Sequence, residues 1–247
     1  MSAVVSIIYD DCIQIMTDGA AYRDGILEAV VKKYHPARTK PFVVTGRGNQ
    51  HMVEHIAKAV TEFCDEEGSV DLAFDWLEHA ARRIGDRIED IGNKHFEVYA
   101  HGYSERSGFV QKALFSHALG NYTPFELHDQ GKVFSAAPDL TYSQMLAFAG
   151  EFPETDSTFL PRRGLQMMEF MRLDMTDAKI KFEDGPKEWS CVGGHCALTT
   201  VTKTGVTSRM LKVWDDPIGE KINPYRNTNV TRLPNRKERR AAKRRMA

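Results

Sequence analysis

Three residues near the start of the chain are of the types needed for self-assisted nucleophilic catalysis. Ser2 follows the initiator Met, and a small residue there is what methionine aminopeptidases expose. A terminal Ser brings its own base, because an α-amine with a reference pKa of about 7.7–8.0 can take the hydroxyl proton at neutral pH. A lysine ammonium beside it would lower the pKa values of amine and hydroxyl. A carboxylate would hold that ammonium in place. Asp18 and Lys33 stand at strand ends from which they could supply both.

The elements that must bring these groups together are legible from pattern. Residues 2–9 and 12–17 are rich in β-branched and apolar residues and read as a buried hairpin turning at Asp10-Asp11. Residues 19–25 read as a loop and 26–33 as a short strand ending in two lysines. Pro36 to Lys40 reads as a turn and 42–45 as a buried strand. Gly46-Arg47-Gly48-Asn49 then opens a helix over 50–66, with Val53, Ile56, Ala57, Val60 and Phe63 on one face. A second helix is expected over 71–91. Hairpins are expected for 95–117 and, around His128-Asp129-Gln130-Gly131, for 124–136. Helices are expected at 140–149 and 162–172, and paired strands at 189–203 and 205–213. Strands, two long helices, strands, helices and strands again favour a four-layer α/β/β/α sandwich with mainly antiparallel sheets over a doubly wound parallel sheet. One domain over 1–214 is expected, with a C-terminal extension over 215–247.

At 247 residues, with 42% hydrophobic residues and no apolar run near the roughly 20 residues that span a bilayer, the chain reads as neither a membrane protein nor a secreted one. The expected localisation is cytoplasmic. The four cysteines are scattered and read as buried free thiols. The net charge of −1 conceals an asymmetry: residues 236–245 hold seven Lys or Arg and one Glu, net +6, leaving −7 on the rest. The basic tail contains no aromatic residue of the kind that stacks on bases. It reads as a solvated end or a docking segment for an ATPase or assembly partner, and nucleic acid is not the expected partner.

The segments Val4–Tyr9, Cys12–Gly19, Val31-Lys32-Lys33 and Val43–Asn49 resemble the opening of proteasome β-subunits and of the bacterial heat-shock ATP-dependent protease subunit, which are N-terminal nucleophile hydrolases. Fifteen residues lie between Ser2 and Asp18, as between the family's nucleophile and aspartate. Cys191-Val192-Gly193-Gly194-His195 and Lys203-Thr204-Gly205-Val206 resemble the family's closing strands. The likeness covers 1–66 and 189–214, and the middle only in the order of elements. It implies a peptidase with Ser2 as nucleophile, Lys33 and Asp18 as its partners and the Gly48 amide as oxyanion donor. It further implies peptide or protein substrates, no cofactor or metal, and a ring of identical subunits. Gly46, at the family's specificity-pocket position, would leave that pocket open. The family's usual Thr is here Ser. Ser135 is the nearest candidate for its orienting serine, and its late Asp and Ser have no clear counterpart, Asp174 and Asp177 being only nearby acids.

Two other readings compete. The chain could keep the fold without the activity, as a structural or assembly subunit, and the run after Pro234 faintly resembles tails of phage and prophage proteins. His51-Met52-Val53-Glu54-His55 fits the H-x-x-E-H pattern of a zinc hydrolase, with His51 and His55 one helical turn apart and Glu54 as base. Cys191, His195 and Cys196 include soft ligands, but strand alternation would turn His195 and Cys196 to opposite faces.

Overall fold

Alternation along the first strand sets the architecture. A computed structural model describes residues 2–87, 95–136, 156–173 and 190–224. Strand β1 (Val4–Ile8) pairs antiparallel with β2 (Ile13–Asp18), and the Tyr9 N–H closes the turn on the Cys12 carbonyl at 2.8 Å. Val5 and Ile7 face one way, into a cluster with Met16, Leu160, Met168 and Leu198. Val4 faces the other way, into a cluster with Ile13, Ile15, Val43, Tyr99 and Phe115.

Hairpin β3 (Ala20–Arg23) and β4 (Ile26–Val30) follows, then β5 (Tyr34–Pro36) and β6 (Phe42–Gly48). Helix α1 (Gln50–Glu67) starts on Asn49, whose side chain accepts the Met52 N–H. It stops at Gly68, whose φ of 67° suits a glycine. Helix α2 (Val70–Gly85) starts on Ser69. Strands β7 (Phe96–Ser104), β8 (Gly108–Phe115), β9 (Leu127–Asp129) and β10 (Val133–Ala136) come next. Helix α3 (Phe159–Leu173) and strands β11 (His195–Thr202) and β12 (Gly205–Val213) complete the described elements.

The chain is thus mixed α and β, with three described helices and antiparallel sheets. One sheet has the order β10-β1-β2-β11-β12, the other β5-β6-β7-β8-β9, and β3-β4 stands as a separate ribbon. A third apolar cluster joins Phe42, Val44, Phe96 and Val98 to Ile56, Phe74 and Leu77 of α1 and α2. Each such fully buried side chain contributes roughly 1.5–3 kcal/mol.

Four expectations are corrected. Residues 20–23 form a strand, not a loop: they pair with Ile26–Val30 through a register shift at Ala21/Tyr22 that blurs the alternation. Residues 124–136 are not a hairpin. β9 pairs with β8 in one sheet and β10 with β1 in the other, so the chain crosses between sheets at Gly131. There Gln111 donates to the Gly131 carbonyl at 2.8 Å and accepts from Ser6 Oγ at 2.7 Å. The strand expected from residue 189 begins only at His195, because Gly194 adopts φ 71°. The packed body also continues past residue 214: Ile222 is buried with Ala20 and Leu27, and Leu27 and Glu220 pair at 2.9 Å. The expected helix at 140–149, Asp174, Asp177 and the basic tail lie outside the described residues. No helix among the described residues is long and apolar enough to cross a membrane.

Glu105 caps α2 from outside, its carboxylate accepting from the Val70 and Asp71 N–H groups, both at 3.1 Å. Desolvation would raise its pKa, but these donors outweigh it and push the carboxyl down from 4.5 to about 2. A pKa depressed by folding stabilises the native state above the unfolded value. Glu105→Gln is therefore less stable than the wild type at pH 7, and the gap closes as pH falls from about 4.5 to about 2. Urea denaturation of both proteins across that range checks this.

Candidate active site

Asp18 ends β2 with its carboxylate fully buried. Oδ1 accepts from the Ala3 N–H at 3.0 Å and from Lys33 Nζ at 2.9 Å. Oδ2 accepts from the Ala20 N–H at 3.0 Å and the Gly193 N–H at 3.3 Å. Lys33 arrives there because the chain leaving β4 folds back, with the Val31 N–H on the Gly19 carbonyl at 2.8 Å. Its Nζ also donates to Ser2 Oγ at 2.7 Å. The neighbouring lysine points elsewhere, Lys32 Nζ lying 4.6 Å from the Tyr34 ring centre. Ser2, Asp18 and Lys33 therefore meet in one hydrogen-bonded chain.

Ser2 and Lys33 line a cleft of about 540 Å³, together with Tyr22, Arg47, Gly48 and Glu54. Gly48 ends β6 with φ 90°, and a Cβ there would come within 2.4 Å of the His95 carbonyl oxygen. Only glycine fits that bend. Gly46 also borders the cleft. A Cβ there would lie 2.5 Å from the Glu97 carbonyl oxygen and 2.6 Å from a Val53 methyl, so the glycine lets β7 and α1 close onto β6.

Several contributors carry no sequence signal. Arg47, in the cleft wall, donates from Nε to Glu97 at 2.7 Å, and Glu97 also accepts from Tyr99 Oη, making a buried polar patch behind it. Burial would lower the Arg47 pKa, but the acidic groups of Tyr99 and Glu97 raise it above its ordinary value. His195 is buried with its ring against Gly19, and its Nε2 has no hydrogen-bond partner among the described residues. Desolvation lowers its pKa, Asp18 opposing and Lys33 reinforcing, which favours the neutral imidazole. The Gly193-Gly194 pair was visible in the sequence; that its first amide reaches Asp18 was not.

The remaining candidates are dispersed. Ser135 is exposed, opposite Val5 in the ladder, and is not among the cleft-lining residues. His51 and Glu54 line the cleft, whereas His55 lines a separate apolar groove between α1 and α2 with Trp76 and Ile84. Cys196 is buried in the apolar cluster beside α3, away from the face of His195 on Gly19. Among the described residues no group of three or more His, Cys, Asp or Glu is placed to hold a metal ion.

No protein-family model matches the chain, and a search of curated proteins finds no match to it. The geometry itself sets what the site can do. An ammonium 2.7 Å from a serine oxygen stabilises negative charge developing on that oxygen, and a carboxylate with four donors cannot readily move away from it.

Gly19 tests how tightly the site is packed. A Cβ there would lie 2.2 Å from His195 Nδ1. Gly19→Ala is expected to cost about 1–3 kcal/mol by overpacking, and adding His195→Ala to it should recover most of that loss. Denaturation of the two single variants and the double variant measures the coupling.

Proposed function

We propose that the chain is an N-terminal nucleophile peptidase of proteasome-like fold, acting through Ser2 once Met1 is removed. The observation that carries this is the Ser2–Lys33–Asp18 chain, with links of 2.7 and 2.9 Å, opening on a cleft. The three apolar clusters support reading the layers as α/β/β/α: one beneath α1 and α2, one between the two five-stranded sheets and one beneath α3.

In this reading the Ser2 α-amine takes the Oγ proton and Oγ attacks the carbonyl of a peptide bond. The Lys33 ammonium stabilises the developing alkoxide, Asp18 holds Lys33, and the Gly48 amide receives the oxyanion. The amine then passes its proton to the leaving nitrogen. A water deprotonated by the same amine cleaves the acyl-serine ester and restores the site. The resemblance to proteasome subunits extends the reading to a ring of identical subunits in the cytoplasm, with an ATPase or assembly partner docking on the basic tail.

A second reading, a noncatalytic subunit that keeps the fold for assembly, is favoured by one observation. Ser135, the candidate orienting serine, stands exposed outside the cleft. The two readings part at a single bond. Intact-mass measurement of the purified protein should show Met1 absent. With short fluorogenic peptides, Ser2→Ala should lose about 10³-fold or more in kcat, and Lys33→Met about 10²–10³-fold. A retained or acetylated Met1, or a Ser2→Ala protein as active as wild type, rules out the Ser2 mechanism.

A further inference from the structure

The segment after β12 is tied to the site through a buried ion pair. Arg172, in the last turn of α3, donates from Nη1 to Asp216 Oδ2 at 2.8 Å and from Nη2 to Asp216 Oδ1. The two side chains are 8% and 2% exposed, and the guanidinium lies over the Trp214 ring, 5.0 Å from its centre. A buried pair of this kind needs its remaining donors and acceptors satisfied. Both partners satisfy them on the same loop: Arg172 Nη1 donates to the Val192 carbonyl at 2.8 Å, and Asp216 Oδ2 accepts the Gly194 N–H at 2.8 Å.

Between these two clamped residues lies Gly193. Its N–H donates to Asp18 Oδ2, and its carbonyl accepts the Gly19 N–H at 3.0 Å. A Cβ on Gly193 would lie 2.8 Å from Asp216 Oδ2, so the glycine is what admits the carboxylate. The same segment also ties β4 and the start of that loop. Gly219 N–H donates to the Leu27 carbonyl at 2.8 Å, and Ile222 accepts the Ser190 N–H at 3.1 Å.

We propose that Asp216, gripped by Arg172, is a positioning residue for the Ser2–Lys33–Asp18 site. This rests on Ser2 being the nucleophile. Asp216 acts through three links: it fixes the Val192–Gly194 loop, the loop fixes the Asp18 carboxylate, and Asp18 fixes the Lys33 ammonium on Ser2. It does not line the cleft, so its loss falls on turnover and not on substrate binding.

The full-length chain is compared as wild type, Asp216→Asn, the double variant Arg172→Met/Asp216→Leu, and Leu77→Ala, a destabilising control on the buried face of α2. The double variant removes both charges together, so neither is left stranded if Asp216→Asn folds poorly. Hydrogen exchange is followed over residues 2–20, and kcat and KM on a fluorogenic peptide. Both Asp216 variants should speed exchange of the Ala3 and Ala20 amides about tenfold. They should also lower kcat about tenfold or more with KM within about twofold, while Leu77→Ala does neither. Wild-type exchange at those amides, or wild-type kcat in the Asp216 variants beside an inactive Ser2→Ala, overturns the positioning role alone. Wild-type activity in Ser2→Ala overturns the nucleophile reading and the positioning role with it.

Discussion

The arrangement depends on the burial of one carboxylate. Asp18 has no exposed surface, and an ionised group in that position costs several kcal/mol unless it is matched. Four donors match it, and they come from four places. Ala3 precedes β1, Ala20 opens β3, Gly193 lies in the loop before β11, and Lys33 follows β4. None of these can shift without leaving the charge under-satisfied. The charge therefore sets the relative position of the hairpin, the β3–β4 ribbon and the closing strands, and Ser2 takes its place from them.

The carboxylate can be approached so closely because glycines surround it. Gly19 lets the His195 ring lie flat on the backbone beside Asp18. Gly193 admits Asp216, and Gly194, with φ 71°, turns the chain so that its N–H points at the Asp216 carboxylate. Packing around the site is thus backbone against side chain, which leaves little room for relaxation. It is a stiffer frame than apolar contacts between flexible side chains would give.

Much of this was legible in the sequence, and the reasons for the rest are physical. The β1–β2 hairpin showed in its β-branched alternation, and α1 and α2 in their apolar stripes. The meeting of Asp18 and Lys33 at Ser2 followed from strand ends. The β3 strand was hidden because Ala-Ala-Tyr-Arg is short and its register shifts. α3 begins at Phe159, three residues earlier than the pattern suggested; its Gly164, a weak helix former, sits where a Cβ would press on Met16 at 2.9 Å. Tertiary packing there overrides local propensity. The link between Arg172 and Asp216 spans 44 positions, and no local pattern announces an ion pair at that range. The crossing at Gly131 was missed for a related reason: two short strands close in sequence pair with different sheets.

The presence of Ser instead of Thr at the candidate nucleophile fits the same frame. A threonine methyl restricts χ1 and so helps to aim the hydroxyl. Serine lacks that restraint and would lose more rotamer freedom when fixed. In this chain the aim is set from outside the residue, by the Lys33 ammonium at 2.7 Å. A lysine free to swing could not do this. One held to a carboxylate that is itself bound by three backbone N–H groups can, because each link has little freedom left to give up. The rotamer control that the methyl would have supplied locally is in this chain distributed over the elements that converge on Asp18.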